Sequence, residues 1–393
     1  MSVREPKNVA ASVRARLLEV MRGRREEFEL TLTRYALERL LFRIGRSEYR
    51  EKFVLKGAML FALWGVEDYR ATRDADFLIY GEPDLAQLQQ IFRDLCAVKF
   101  EPDGLVFRED TVRAEAIREQ NDYGGVRVTM RARLDTADIA VQVDIGFGDA
   151  VTPDAKWEEF PTLLALPAPK LRTYPRETVV AEKYEAMVRF GIANSRMKDF
   201  YDVFMLARGF EFTGGTLSEA IRNTFARRGT LLPEKTPTAL ASEFYEDRQK
   251  VAQWKAFCTR GRLREPQHAL KVVCETLGGF LMPPTQAAAR KVRLNRRWQA
   301  GGPWEKKDFH DGHLSLITGV MPFGLLPYAC CLRPHPLPSS LIPQEIDPRS
   351  ISLLLGGEQG PHGSSCQPLM SATGSHAAGR GVKSALRVLA RVE

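Results

Sequence analysis

Two consecutive stretches, GVRVTMRARL (125–134) and DIAVQVDIGF (138–147), alternate apolar and polar side chains almost without interruption. Successive side chains of a strand point to opposite faces, so this pattern fits an antiparallel sheet with one face buried and the other wetted. With VRAEAIRE upstream and Asn121-Asp122-Tyr123-Gly124-Gly125 as a turn signal, the region 105–148 predicts successive strands. Asp144 stands in the middle of the most apolar of them, where a lone carboxylate is costly unless it is paired or metal-bound.

A carboxylate pair lies upstream, in FVLKGAMLFALWGVEDYRATRDADFLIYG (53–81). Asp74 and Asp76 open a predicted strand over 74–80 and project from the same face of it. Two such carboxylates repel unless something positive neutralises them. A divalent cation does this well, and magnesium prefers hard oxygen ligands. If the strand of Asp144 lies beside 74–80, three carboxylates converge, a constellation able to hold two magnesium ions about 4 Å apart for nucleotidyl or phosphoryl transfer. Asp144 could instead be the structural partner of a strand arginine such as Arg131 or Arg133.

Elsewhere the spacing is helical. AASVRARLLEVM and LTLTRYALERLLFRIG within 8–46, DLAQLQQIFRDLCAV after the strand, and ETVVAEKYEAMVRFG and SRMKDFYDVFMLARG beyond the proline-rich LPAPKLRTYP place apolar residues three and four apart. A short apolar helix is expected over 54–65, and further helices to about residue 283. The chain reads as α+β: amino-terminal helices over 1–52, a sheet domain over 53–160 and a mainly helical domain over 161–305. Residues 306–393 have little periodicity and read as coil of disordered composition. They hold five of the six histidines, which leaves His268 alone before them and gives a Ser-His-Asp or Cys-His mechanism little to build with.

No run is long and apolar enough to span a membrane, and MSVREPKNVAAS has no apolar signal core. The six cysteines follow no metal spacing, so a cytoplasmic location is expected. A formal net charge of +8 permits a polyanionic partner such as nucleic acid or a nucleotide.

A Lys-Gly pair before an apolar stretch, then D-x-D, then a later strand carboxylate, resembles the nucleotidyltransferases related to DNA polymerase β. The AbiEii-type nucleotidyltransferase toxin family is the closer likeness. FVLKGAMLFALWG resembles its Lys-Gly-Gly helix start, and RATRDADF its Arg-x-[Ser/Thr]-x-Asp-x-Asp stretch. VVAEKYEAMV resembles its Ala-Glu-Lys helix, SRMKDFYDVF its Arg-x-Lys-Asp-x-x-Asp helix, and NRRWQAGGPW (295–304) a common carboxyl-terminal ending. The resemblance covers residues 30 to 305 and implies a polymerase β-like sheet domain completed by helices, with an NTP as substrate and two Mg2+ ions.

By that resemblance Asp74 and Asp76 are metal ligands, and Asp144 is the third ligand and the base. Gly57 lets the backbone approach the triphosphate at a helix start, whose N–H groups suit an anion. Ala58 stands where the superfamily carries Gly or Ser and brings no hydroxyl. Lys183 neutralises phosphate, while Lys198, Asp199 and Asp202 share one later helix, the two aspartates as neighbours on its surface. Lys56, Arg70 and Arg73 contact triphosphate or RNA. Plainer readings stay open: a solvated Lys183, Asp199 and Asp202 capping or pairing with Arg196 and Lys198, Lys56 flanking a strand, and Arg70 and Arg73 pairing with the aspartates.

The implied function is the toxin of a toxin–antitoxin or abortive-infection (phage-defence) system, transferring a nucleotide to RNA, tRNA foremost, with release of pyrophosphate and an AbiEi-type antitoxin as cognate partner. The rivals are a small-molecule nucleotidyltransferase of the antibiotic-modifying kind and a catalytically silent fold that binds nucleotide or a partner protein. Residues 306–393 have no counterpart in the family and are expected to be a non-homologous extension.

Overall fold

A computed structural model describes residues 8–66, 72–81, 83–98, 103–117, 124–261, 263 and 268–306. The chain divides into two compact units, Met1–Leu314 and Ser315–Glu393, and every described residue belongs to the first. The expectations for Arg70 and for 307–393 fall outside the described residues.

The amino-terminal helical spacing gives α1 (Val9–Arg24) and α2 (Phe28–Arg46). Next come β1 (Phe53–Lys56), a single 3-10 turn over Gly57–Met59, α3 (Leu60–Leu63), β2 (Asp74–Ile79) and α4 (Leu85–Ala97). A reciprocal pair of hydrogen bonds between Asp84 and Gln87 caps α4 and satisfies two otherwise orphaned amides. The period-two region forms β3 (Leu105–Ile117), β4 (Gly125–Leu134) and β5 (Ala137–Phe147). β4 and β5 meet at a two-residue turn, Asp135-Thr136, in which Asp135 takes a positive φ of 55°. β6 (Lys156–Glu159) and β7 (Lys170–Thr173) follow.

These seven strands make one mixed sheet in the order β3-β4-β5-β2-β1-β7-β6, parallel at β5/β2 and β1/β7 and antiparallel elsewhere. Val126, Val128, Met130, Ala132 and Leu134 of β4, with Ile139, Val141, Val143 and Ile145 of β5, are buried on one face. Helices α1, α2 and α4 pack there. The residues between them, including Asp144, belong to the other face.

The helix expected over 54–65 is mostly something else. Residues 53–56 form a strand between β2 and β7, and the helix proper is a single turn over 60–63. Phe53, Val54 and Leu55 are all fully buried, so this central strand shows no alternation and reads like a buried helix. The stretch LPAPKLRTYP, read as a proline-rich connection, supplies β7.

The remainder is helical, as expected: α5 (Arg176–Phe190), α6 (Met197–Gly209), a short β8 (Phe212–Thr213), α7 (Gly214–Arg227), α8 (Ser242–Tyr245), α9 (Arg248–Arg260) and α10 (Leu270–Ala289). β9 (Arg296–Trp298) and β10 (Trp304–Lys306) join β8 in a second small sheet. α10 continues through Pro283 and Pro284. Pro284 has no N–H for the Phe280 carbonyl, and the Trp304 indole donates to that carbonyl instead, at 3.0 Å. Among the described residues no helix is long and apolar enough to cross a membrane.

Candidate active site

The register of β2 against β5 sets the centre of the site. Asp76 pairs directly with Asp144, and Asp74 with Gln142. Side chains of directly paired residues share a face, so Asp74, Asp76 and Asp144 come together on the face opposite the helices. Ala75, Phe77, Val143 and Ile145, which alternate with them, are buried and fix that orientation.

Gly57 lies against this group with φ +70°. A Cβ there would overlap the Asp76 carboxylate, 2.6 Å from its Cγ. Burial pushes the Asp76 carboxyl up to about 6, and Asp74 adds to this, while Lys56 and Lys198 pull the other way. Asp76 makes no hydrogen bond or ion pair with another described residue. The Thr72 hydroxyl donates to Asp74 Oδ1. Asp144 is gripped by Arg127, whose Nε and Nη2 donate to Oδ1 and Oδ2 at 2.8 and 2.7 Å. The Gln142 amide stands 3.3 and 3.4 Å from the same two oxygens.

A cleft of about 240 Å³ runs past Asp76 and Asp144, with Asp74 outside its lining. Asp76 and Asp144 form one wall with Gly57 and Ala58, and α5 and the start of α6 form the other with Lys183, Arg189, Arg196 and Lys198. Lys183 is fixed by two buried aspartates, Asp199 at 2.7 Å and Asp202 at 2.9 Å. Arg196 Nε also donates to Asp199, at 2.6 Å. Burial alone would raise the Asp199 carboxyl, but Lys183 and Arg196 hold it well below the usual carboxylate range. Lys198 is exposed and forms no ion pair or hydrogen bond among the described residues, so its ammonium is available to the cleft.

Deeper in, Lys56 Nζ donates to Asp149 at 2.8 Å and lies 3.7 Å from Glu182. Arg228 contacts Asp149 at 3.0 Å, Glu182 at 3.4 Å and Glu185 at 3.0 Å. Burial alone would lower the Lys56 ammonium, yet Glu182 and Asp149 hold it above the ordinary lysine range. This network ties β1 and the end of β5 to α5 and to the end of α7.

The structure thus brings Asp74, Asp76, Asp144, Lys56, Gly57, Ala58, Lys183, Lys198, Asp199 and Asp202 to one place. Three differ from expectation. Arg73 is exposed, contacts Glu27 at 3.3 Å and does not line the cleft. The helix start at Gly57 is one 3-10 turn and one α turn, too short for a strong dipole, and Gly57 leaves room for the Asp76 carboxylate. The arginine on Asp144 is Arg127; Arg131 pairs with Asp138, and Arg133 donates to the Asp135 carbonyl. The signal for Arg127 was in the sequence, since a two-residue turn at 135–136 puts 134 opposite 137 and hence 127 opposite 144. Asp149, Glu182 and Arg228 were missed, and no local pattern marks a network of residues so far apart in the chain.

Among the described residues no group of three His, Cys, Asp or Glu side chains is arranged to enclose a metal ion, and Arg127 takes both oxygens of Asp144. The donor set is nevertheless of the right kind for a hard divalent cation: oxygens only, with Asp76 unpaired among the described residues and Gly57 adding no side chain beside it.

A family model described as "Nucleotidyl transferase AbiEii toxin, Type IV TA system" matches residues 39–276, from within α2 to within α10, and encloses every residue of the cleft. Among solved structures the chain is similar to JHP933 from Helicobacter pylori, with 15% identity over 65% of this chain and 90% of that one and a TM-score of 0.38. It is similar also to an H. pylori protein described as a candidate nucleotidyltransferase, with 15% identity over 65% of this chain and 93% of that one and a TM-score of 0.38. No curated protein matches.

Proposed function

The chain belongs to the AbiEii nucleotidyltransferase toxin family of type IV toxin–antitoxin systems, and from that premise we propose that it transfers a nucleotidyl group from an NTP to a hydroxyl of RNA, tRNA foremost, in a magnesium-dependent reaction that releases pyrophosphate. Its cognate antagonist is an antitoxin of AbiEi type, and its place of action is the cytoplasm. The observation that carries the reading is the side-by-side pairing of Asp76 and Asp144 across one cleft from the basic wall of α5 and α6.

Asp74, Asp76 and Asp144 are the residues that would hold magnesium, which neutralises triphosphate charge and makes a nearby hydroxyl more acidic. The chain's own contributions are these. Gly57 keeps the Asp76 carboxylate and the adjoining backbone clear of a side chain. Lys198, exposed on the opposite wall, pairs with phosphate oxygens. Lys183, Asp199 and Asp202 act as a unit: the buried aspartates pin the lysine where it lines the cleft. The acceptor oxygen attacks the α-phosphorus, the bond from that phosphorus to the β-bridging oxygen breaks, and pyrophosphate leaves. The hydroxyl proton passes to a carboxylate oxygen of Asp144. Ala58, 5% exposed in the cleft wall, offers no hydroxyl, so phosphate binding near Gly57 falls to the backbone and the lysines.

The test is incubation of the purified protein with each α-labelled NTP, magnesium and total RNA, in parallel with hydroxylated antibiotics as acceptors. Label in RNA supports the reading. Label only in the small acceptor replaces RNA with a small molecule, and magnesium-dependent nucleotide binding without turnover makes the protein a silent binder.

A further inference from the structure

We propose that Arg127 is the resident counter-ion of Asp144: it holds the third carboxylate in position, and a divalent cation entering the site displaces it towards Glu115. This rests on the reading of Asp74, Asp76 and Asp144 as a cation site. Arg127 lies between two carboxylates across the sheet. Its register partner on β5 is Asp144, and its register partner on β3 is Glu115, so all three side chains belong to the same face. In this structure the guanidinium lies on Asp144, with Nε and Nη2 both donating to it.

The guanidinium is more exposed than the residues that fix its strand. Val126 and Val128 on either side are buried at 7% and 0% and fix the register. The Arg127 side chain itself is 38% exposed, against 20% for Asp144. A half-exposed ion pair is a weak restraint, and a long arginine stem can swing without moving the strand. The fork engages both oxygens of Asp144 and puts a positive charge where a cation drawn to Asp74 and Asp76 would have to approach, so the two cations repel. Glu115 is exposed and lies one strand away, so it offers the released charge a second partner on the same face.

Mn2+ binding to the full-length chain without nucleotide, read as free Mn2+ by electron paramagnetic resonance, is the test. Arg127→Ala and Arg127→Gln are expected to bind Mn2+ about two- to fivefold more tightly than wild type, the upper range set by exposed ion pairs. Arg131→Ala, which removes the same charge from the same strand, is expected to leave affinity unchanged. Glu115→Gln is expected to weaken binding when Arg127 is present and to have no effect in the Arg127→Ala background. A Glu115 effect that persists there would be a through-space charge effect and would overturn the displacement. Equal Mn2+ affinity in wild type and both Arg127 variants overturns the inference and leaves the cation site standing. Absence of Mn2+ binding in every form overturns both.

Discussion

At the scale of single residues, Gly57 is the position where backbone geometry and chemistry meet. Its φ of +70° is strained for any L side chain, and a Cβ would occupy the space of the Asp76 carboxylate. Gly57→Ala is therefore expected to cost about 1–3 kcal/mol of stability, read by urea unfolding, and to abolish label transfer. An active Gly57→Ala protein would refute the account of that glycine. The same scale shows what was legible in the sequence. Asp74, Asp76 and Asp144 could be read because strand periodicity says which residues share a face, and the register then joined them as anticipated. Arg127 was legible from the Asp135-Thr136 turn, which sets it opposite Asp144. The Lys56–Asp149–Glu182–Arg228 network was not legible, because its members meet only after three separate segments have packed.

At the scale of elements, the clasp between α5 and α6 links stability to function. Lys183 reaches from one helix to Asp199 and Asp202 on the other, and both aspartates are almost wholly buried. Asp199→Asn leaves Asp202 to hold the lysine, so the expected loss is about 2–3 kcal/mol, below that of a buried charge left without any partner. The Asp199 carboxyl is depressed, so its stabilisation is present above its ordinary value of 3.8 and fades as pH falls through the folded-state value. Paired unfolding curves should thus show a constant gap between wild type and Asp199→Asn from pH 5 to 8 that closes in acid; a gap that widens in acid would contradict this. α10 carries a second element-scale prediction. Trp304→Phe keeps an aromatic ring on Phe280 but leaves the buried carbonyl that Pro284 cannot serve, and is expected to cost about 1–2 kcal/mol by urea unfolding. Elements with one exposed face carry their period in the sequence, whereas β1, a strand covered on both sides, shows no period and resembles a buried helix.

At the scale of the whole molecule, an α+β chain uses a mixed sheet for its carboxylates and a helical half for its cations, and the cleft lies where the two meet. All lining residues fall between Lys56 and Arg228, and the last described packing contacts are made by Trp304. A chain ending after Lys306 is expected to keep the melting temperature and transfer activity of the full-length protein; a marked drop in either would give the following segment a role. The central claim is that Asp76 and Asp144 serve attack on an α-phosphorus, and the fate of the labelled phosphate tests it most directly. With NTP labelled at the α position, wild type should place label on RNA, while label at the γ position should appear only in pyrophosphate. Asp76→Asn, folded by circular dichroism, should do neither. Transfer of the γ-label to RNA, or equal α-label transfer by wild type and Asp76→Asn, would contradict the account.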